Sequence, residues 1–331
     1  MKVLMPEDFD LKNSLEFCES LDKLSYDESY IYDYGDMSRV EPFGMLIIGS
    51  KIRQFVKENE KAKHSDSNFK DKGYAAHMGY FKSIYQDFGK EPGEAAGSRN
   101  YIPITCEKIK DIYKNLYSKE NISRCGDVYD YMENNIAEKL AGVISREDKT
   151  IKESLKFCIY ELIRNVFEHS GSETIWYSGQ YWPTKDLVEI SILDEGKGIL
   201  ETLRRNKKIE INNNEEALRL AVEPGITRAI TNKKSTSTTD NQGFGLYMTK
   251  NICDELGDFA ICSGDVCLLS NKNGIKFVKT SFQGTIVRLR LKVSEIKKAK
   301  DLKLELSKKG TIRSNELIKL SKINVDTIKE I

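Results

Sequence analysis

In the stretch ELIRNVFEHSG, from Glu161 to Gly171, an acid, an amide and an imidazole (Glu161, Asn165 and His169) recur at intervals of four. Leu162, Ile163, Val166 and Phe167 stand between them. On an α-helix, residues four apart lie one turn apart on the same side. The stretch therefore predicts a helix that buries an apolar face and carries three polar groups along one edge. That edge either meets water or lines a ligand site. In both cases the apolar face needs a second layer to pack against.

The bulk properties leave both outcomes open but exclude several classes of protein. The 331 residues leave room for two domains. A net charge of +1 gives no global bias toward nucleic acid or a membrane surface. With 39% hydrophobic and 31% charged residues, the chain reads as globular rather than disordered. The start, MKVLMPEDFD, has no signal-peptide apolar region, and no apolar run approaches the roughly 18 residues of a membrane helix. These features predict a cytoplasmic location without membrane association. The seven cysteines, at 18, 106, 125, 158, 253, 262 and 267, form no CxxC pair. They are expected to be reduced core thiols.

Three units are expected along the chain. Residues 1–95 read as a small α/β interaction domain. It holds a strand at SYIYDY, a helix at FGMLIIGSKIRQFVKEN and a second helix at YAAHMGYFKSIY. The Gly-rich GKEPGEAAGSRN reads as a linker. Residues 99–293 form the main unit, with strands at YIPIT, ETIWYSGQYW and LVEISILD and helices at DVYDYMENNIAEKLAGVI and up to His169. Ser145 is a candidate cap for the helix that reaches His169. A further helix, GLYMTKNICDELG, precedes the strand-like FAICSG, DVCLLS, IKFVKT and GTIVRLRLKV. This order predicts a two-layer α/β sandwich, one face of a mixed sheet being covered by helices. Residues 294–331 carry ten Lys and Arg against six Asp and Glu and form a basic helical tail. Ser314 and Asn324 are candidate caps of a helix pair there, read as a packing or partner-binding element rather than a DNA reader.

Three short motifs follow the opening helix. LDEGKGI sets Asp194 at the end of an apolar strand, where a carboxylate can accept from an exocyclic amine. Gly196 and Gly198 let backbone approach a flat ring without a Cβ in the way. NQGFGLYMTK sets Gly243 and Gly245 at the mouth of a helix, whose free N–H groups suit a phosphate. QGTIVRLRL starts a strand with Thr285, within reach of a base or a water beside Asp194.

Singly these patterns are common. Their order, ExxxNxxxH, DxGxG, a long polar segment, GFGL and a GT strand, resembles the GHKL (Bergerat-fold) ATP-binding domains. That superfamily contains gyrase-type and mismatch-repair ATPases, heat-shock chaperone ATPases, histidine kinases and anti-sigma-factor serine kinases. The resemblance implies ATP and Mg²⁺ as cofactors. It implies Asn165 as the Mg²⁺ ligand, Asp194 at the adenine amine with Thr285 beside it, and Gly196 and Gly198 along base and ribose. It also implies a lid over residues 200–242, with Gly243, Phe244, Gly245 and Leu246 bordering the triphosphate. Glu161 becomes the base that takes a proton from water or a hydroxyl, and His169 a phosphate, lid or packing residue.

Glu161 fits both the hydrolytic families and the anti-sigma serine kinases, and His169 with the preceding helix pair makes the latter type the nearest. The three histidines, His64, His77 and His169, include none in a phosphoacceptor helix motif, which argues against a histidine autokinase. The first unit is similar, more loosely, to a STAS domain. Glu41, Pro42 and Phe43 stand where that family's antagonists carry a phosphorylated serine, and Ser38 is displaced. The expected function is an ATP-driven regulatory switch on an unidentified protein partner. A serine/threonine kinase and a non-hydrolysing ATP-binding module are the alternatives. ATP-dependent homodimerisation is compatible with all three, and nucleic acid is not an expected partner.

Overall fold

A computed structural model describes residues 1–116, 128–145, 149–227 and 243–329. Strands β1 (Lys2–Leu4), β3 (Ser29–Asp33) and β5 (Lys63–Ser67) form a parallel sheet in the order β1-β3-β5. Beside it lies the short pair β2 (Asp8–Phe9) and β4 (Arg39–Val40). Helix α1 (Leu11–Leu21) starts at Asp10, whose side chain accepts from the Asn13 N–H at 2.9 Å. Helix α2 (Pro42–Glu58) follows, with proline in its first turn. The single helix expected over Tyr74–Tyr85 is broken into α3 (Gly73–His77) and α4 (Tyr80–Ser83). Gly79, at φ +87°, takes a left-handed conformation between them that neither helix can continue.

The main sheet holds β6 (Tyr101–Lys108), β7 (Thr174–Trp182), β8 (Leu187–Asp194), β9 (Gly257–Asn271) and β10 (Gly274–Lys292), in the order β6-β7-β8-β10-β9. Every neighbouring pair is antiparallel, so the expected mixed sheet is corrected to a fully antiparallel one. The four strand candidates after the last helix merge into two long ones, bent by register shifts between Lys279 and Thr285. Helices α5 (Ile109–Leu116), α6 (Val128–Tyr131), α7 (Glu138–Ser145) and α8 (Lys149–Asn165) belong to the same unit. A wider π-helical turn, Met132–Ala137, joins α6 to α7. Ser145, expected to cap α8, is the last residue of α7, and residues 146–148 lie outside the described set. Beyond β8 come α9 (Gly198–Leu203), α10 (Asn214–Ala221), α11 (Gly245–Leu256) and α12 (Ala299–Lys319).

Both faces of the main sheet are covered. Ile175, Tyr177, Ile190, Ile192, Ile261 and Val287 share one core with the α7, α8 and α11 side chains. This is the expected α/β sandwich. The alternate residues, among them Trp176, Leu193, Ala260 and Ile286, share a second core with Phe43, Ile47, Ile48 and Leu15 of α2 and α1. The N-terminal unit thus adds a third layer, and α2 packs across β7, β8 and β10. Full burial of each such Ile or Phe is worth about 1.5–3 kcal/mol.

This second interface also contains charge. Glu189, fully buried on β8, accepts from the Phe43 N–H in the first turn of α2 at 2.9 Å. It faces Arg288 at 3.7 Å and Arg290 at 3.3 Å, and Arg290 reaches on to Glu41 at 2.9 Å. Cys262 and Cys267 also lie on this side and are disulfide-bonded, which corrects the expectation that all seven cysteines are thiols. The turn of β9 at Gly264, φ +70°, brings their Cα atoms to 3.9 Å. Cys18, Cys106, Cys158 and Cys253 are free, and burial raises each of their pKa values.

The tail departs from a helix pair. α12 runs straight through Ser314, which is buried against Gly225. Asn324 closes only a turn, its Oδ1 accepting from the N–H groups of Asp326 (3.0 Å) and Thr327 (2.9 Å). Among the described residues no helix is long and apolar enough to cross a membrane.

Removing the carboxylate of Glu189 would leave the buried Arg288 and the partly buried Arg290 without their shared counter-charge. Glu189→Ala should destabilise the protein by about 3–5 kcal/mol, measured as a lower urea midpoint.

Candidate functional site

Helix α8 points Leu155, Cys158, Ile159, Leu162 and Ile163 into the core. The opposite edge holds Glu161 and Asn165. After Asn165 the helix widens into a π-helical turn, Val166–Ser170, ended by Gly171 in a left-handed conformation at φ +65°. The turn changes the angular spacing of His169, yet Glu161, Asn165 and His169 all line one cavity of about 420 Å³. That volume falls within the range of small-molecule sites.

The motifs from distant parts of the chain meet there. Asp194, Gly198, Gly243, Gly245, Leu246 and Thr285 join the same wall. Thr285 on β10 stands directly opposite Asp194 on β8 in the strand register. The Gly196 N–H donates to Asp194 Oδ1 at 2.9 Å. Gly196 itself sits behind the wall, because a Cβ there would lie 2.3 Å from the Ser170 carbonyl oxygen. Its part is to let the loop close and to orient the acid. The Gly198 position is closed by Ser263, which sequence reasoning missed: its Oγ accepts from the Ile199 N–H at 3.0 Å and donates to the Gly284 carbonyl at 2.9 Å.

The GFG turn divides its work. Gly243 has φ +90°, and its carbonyl accepts from the Gly225 N–H at 3.0 Å. Gly245 opens α11 against Glu161, where an added Cβ would lie 2.6 Å from the Glu161 Cβ. Phe244, expected at the triphosphate border, instead turns its ring into the core toward Tyr247 (centroids 6.3 Å apart) and Gly310 of α12. The first N–H groups of α11 and its positive dipole end are therefore presented beside Glu161 and Asn165.

The electrostatics separate two acids from bulk water. Burial pushes the Glu161 carboxyl up to about 7, against the pull of Arg164 and with Glu168 adding to it. Arg164 grips that carboxylate with both terminal nitrogens, at 2.8 and 2.9 Å. It is neither a solvated charge nor a free phosphate ligand. Lys250, the other cation weighed for phosphate contact, pairs with Asp254 at 2.6 Å. Burial likewise pushes Asp194 up to about 7, against the hydrogen bonds from Gly196 and Thr285. The segment expected as a lid contains α9 and α10, and Thr227 lines the cavity. Arg228 and the run Asn232–Asp240 lie outside the described residues.

A second cavity of about 500 Å³ adjoins the first. It shares Glu161 and Arg164 and is walled by Phe157, Tyr160, Phe244 and Met248 with Lys156 and Ser307. Glu161 therefore faces two spaces.

Residues 150–295 match the family model of the histidine kinase-, DNA gyrase B- and HSP90-like ATPases. The match spans α8, the DxGxG turn, the GFG turn and Thr285. It supports a GHKL-type ATP-binding domain in this part of the chain. Comparison with curated proteins gives no match.

Because Gly245 is closed by backbone-proximal atoms of α8, Gly245→Ala should force the two helices apart. The expected cost is about 1–3 kcal/mol, read as a lower unfolding midpoint in urea, whereas Gly73→Ala, where no atom lies within 4 Å and the backbone is not left-handed, should lack that steric cost.

Proposed function

We propose that the protein is an ATP- and Mg²⁺-dependent regulatory switch of the GHKL type that acts on a protein partner. The observation carrying this reading is that Glu161, Asn165, Asp194, Thr285 and the start of α11 surround one cavity. In this reading Asp194 and Thr285 bind the adenine edge, and the N-terminus of α11 receives phosphate. Asn165 suits Mg²⁺: its half-buried amide lines the cavity and has no hydrogen-bond partner among the described residues. A single amide oxygen with phosphates and waters is an acceptable environment for this oxygen-preferring cation. Bound Mg²⁺ supplies neutralisation of phosphate charge. Glu161 accepts the proton of the attacking water, and a carboxyl near 7 is matched to that task at neutral pH. Arg164 holds the carboxylate in position until the nucleotide is bound.

The lid belongs to the proposal as well. Its described part packs on the tail through Leu203, Ile209, Leu220 and Ile226 against Leu317, Ile323 and Ile328. Closure over ATP would then carry a signal to the tail, and the partner would sense differential affinity for the two nucleotide states. A second reading, transfer to a serine or threonine hydroxyl, is favoured by the second cavity, which gives an acceptor side chain its own approach to Glu161.

Purified protein with γ-labelled ATP and Mg²⁺, alone and with candidate partners, separates the readings. Free phosphate supports the switch, and label on an added protein supports the kinase. Asn165→Ala should abolish Mg²⁺-dependent nucleotide binding. Glu161→Gln should retain binding and lower turnover by about 100-fold or more. Unchanged affinity and turnover in both variants would overturn the site assignment.

The Asp194 carboxyl gives a pH test. Its folded-state value of about 7 is raised above the ordinary 3.8, so the folded, nucleotide-free protein holds a proton that the unfolded chain releases. That contribution to stability is lost as pH rises through about 7. An amine donor prefers the ionised acid, so ATP affinity should rise with pH below about 7, by at most about tenfold per unit. Isothermal titration at several pH values should show this slope, and Asp194→Asn should flatten it.

A further inference from the structure

The two residues that flank the adenine pair are held from the far side of the sheet by α2. Strand alternation sends Asp194 toward the cavity and Glu195 toward the N-terminal unit. There Glu195 Oε1 accepts from Ser50 Oγ at 2.6 Å and from Arg53 Nε and Nη2 at 3.1 and 2.6 Å. Arg53 is itself fixed: its Nη1 donates to the Ser83 carbonyl at 3.1 Å, and its guanidinium lies 4.0 Å from the Trp176 ring centroid. The next residue, Gln54, holds the other half of the pair. Its Nε2 donates to the Gln283 carbonyl at 2.9 Å and its Oε1 accepts from the Gln283 N–H at 3.3 Å, two residues before Thr285. Gln54 Nε2 also donates to Ser50 Oγ at 3.1 Å, closing the network.

Ser50, Arg53 and Gln54 stand at i, i+3 and i+4, one face of one helix. The segments they hold touch each other, since a Cβ at Gly284 would lie 2.1 Å from the Asp194 carbonyl oxygen. We infer that Ser50, Arg53 and Gln54 of α2 are positioning residues for base recognition, acting through Glu195 and Gln283 to set Asp194 and Thr285. The inference rests on the reading of Asp194 and Thr285 as the adenine pair. It gives the N-terminal unit a role in nucleotide affinity without touching the nucleotide. Any partner that displaces α2 changes ATP affinity, and ATP changes the affinity for that partner by the same factor.

The test uses the full chain and three ligands, MgATP, MgGTP and magnesium tripolyphosphate, with dissociation constants from isothermal titration. Arg53→Ala, Ser50→Ala and Glu195→Gln should each weaken ATP, by roughly tenfold where a charged hydrogen bond is lost. Each should narrow the ATP-over-GTP preference and leave tripolyphosphate affinity unchanged. The Arg53→Ala/Glu195→Gln double variant should bind ATP no more weakly than the worse single variant, because both remove one interaction. Arg53→Lys, which keeps a donor and the charge, should recover part of the preference.

An unchanged ATP-to-GTP ratio in these variants, or equal losses for ATP and tripolyphosphate, would overturn the inference. Asp194→Asn tells the two levels apart. If it collapses the preference while the α2 variants do not, only the positioning role fails; if it changes nothing, the adenine assignment fails first. Should Arg53→Ala not fold, Ser50→Ala, which deletes one hydroxyl, reads the same ratio.

Discussion

A carboxylate with no access to water sets the geometry of the molecule. Glu189 lies in the middle of the main sheet, on the face away from the candidate site, with Arg288 and Arg290 beside it on β10. Left open to solvent, these three charges would be hydrated and would sit beside an exposed apolar patch that includes Trp176, Leu193 and Ile286. Covered by α2, they become a desolvated cluster that is tolerable only because each charge has a partner. The Phe43 N–H completes it, and this N–H belongs to the first turn of α2, where a helix has donors to spare and favours negative charge. The carboxylate therefore anchors one end of α2. With that end fixed, the helix runs across β7 and β8 toward the turn that follows Asp194, where Ser50 and Arg53 meet Glu195.

The two acids of the cavity show how one cause serves different purposes. Burial raises both Glu161 and Asp194 to about 7, but their neighbours differ. Asp194 is surrounded by neutral donors, the Gly196 N–H and the Thr285 hydroxyl, so its charge is determined by what else enters the cavity. Glu161 has a guanidinium across both oxygens. That ion pair is inside one helix, at i and i+3, so it ties no distant elements together and orients the carboxylate more than it stabilises the fold. In the proposed reaction a base held this way becomes available once a phosphate draws Arg164 off the carboxylate, and proton transfer is then conditional on the nucleotide.

Much of this was legible from residue type and spacing. The Glu161–Asn165–His169 column, the acid ending an apolar strand and the glycines at a helix mouth each name a local geometry, and the fold brings those geometries to one cavity. What was not legible is mostly non-local. Alternation of apolar residues says that β8 has two buried faces but not which way its neighbours run, so the antiparallel order was missed. It does not say that the N-terminal unit supplies the third layer. A spacing of four cannot show that the helix widens at Val166. Phe244, between two glycines of a site motif, reads as a site residue until α12 provides the surface that receives its ring. The Cys262–Cys267 bond depends on a bend at Gly264 that a strand pattern hides.

The tail was legible as a helix with a basic excess but not in its purpose. Its pattern suggested two short helices, because Ser314 and Asn324 are both good caps. Tertiary contact overrides the first: Ser314 is needed small and buried against Gly225, whose left-handed backbone, φ +82°, leaves no room for a longer side chain. Beyond α12 the chain pairs with the lid segment itself, Ile323 N–H to the Lys208 carbonyl at 2.8 Å and Glu210 N–H to the Ile323 carbonyl at 2.9 Å. Arg313 adds an ion pair to Glu223 at 3.2 Å. A segment tied in this way is coupled to the tail, because Ile209, Leu220 and Ile226 are buried against Leu317, Ile323 and Ile328, and as the proposed lid it could open only with the tail. The segments around the cavity are thus held from two sides: α2 holds the strand ends that carry Asp194 and Thr285, and the tail packs on residues 203–226. An enzyme concerned only with turnover needs neither. The switch proposed above needs surfaces whose position depends on the site, and α2 and the tail are elements that pack directly on the segments around it.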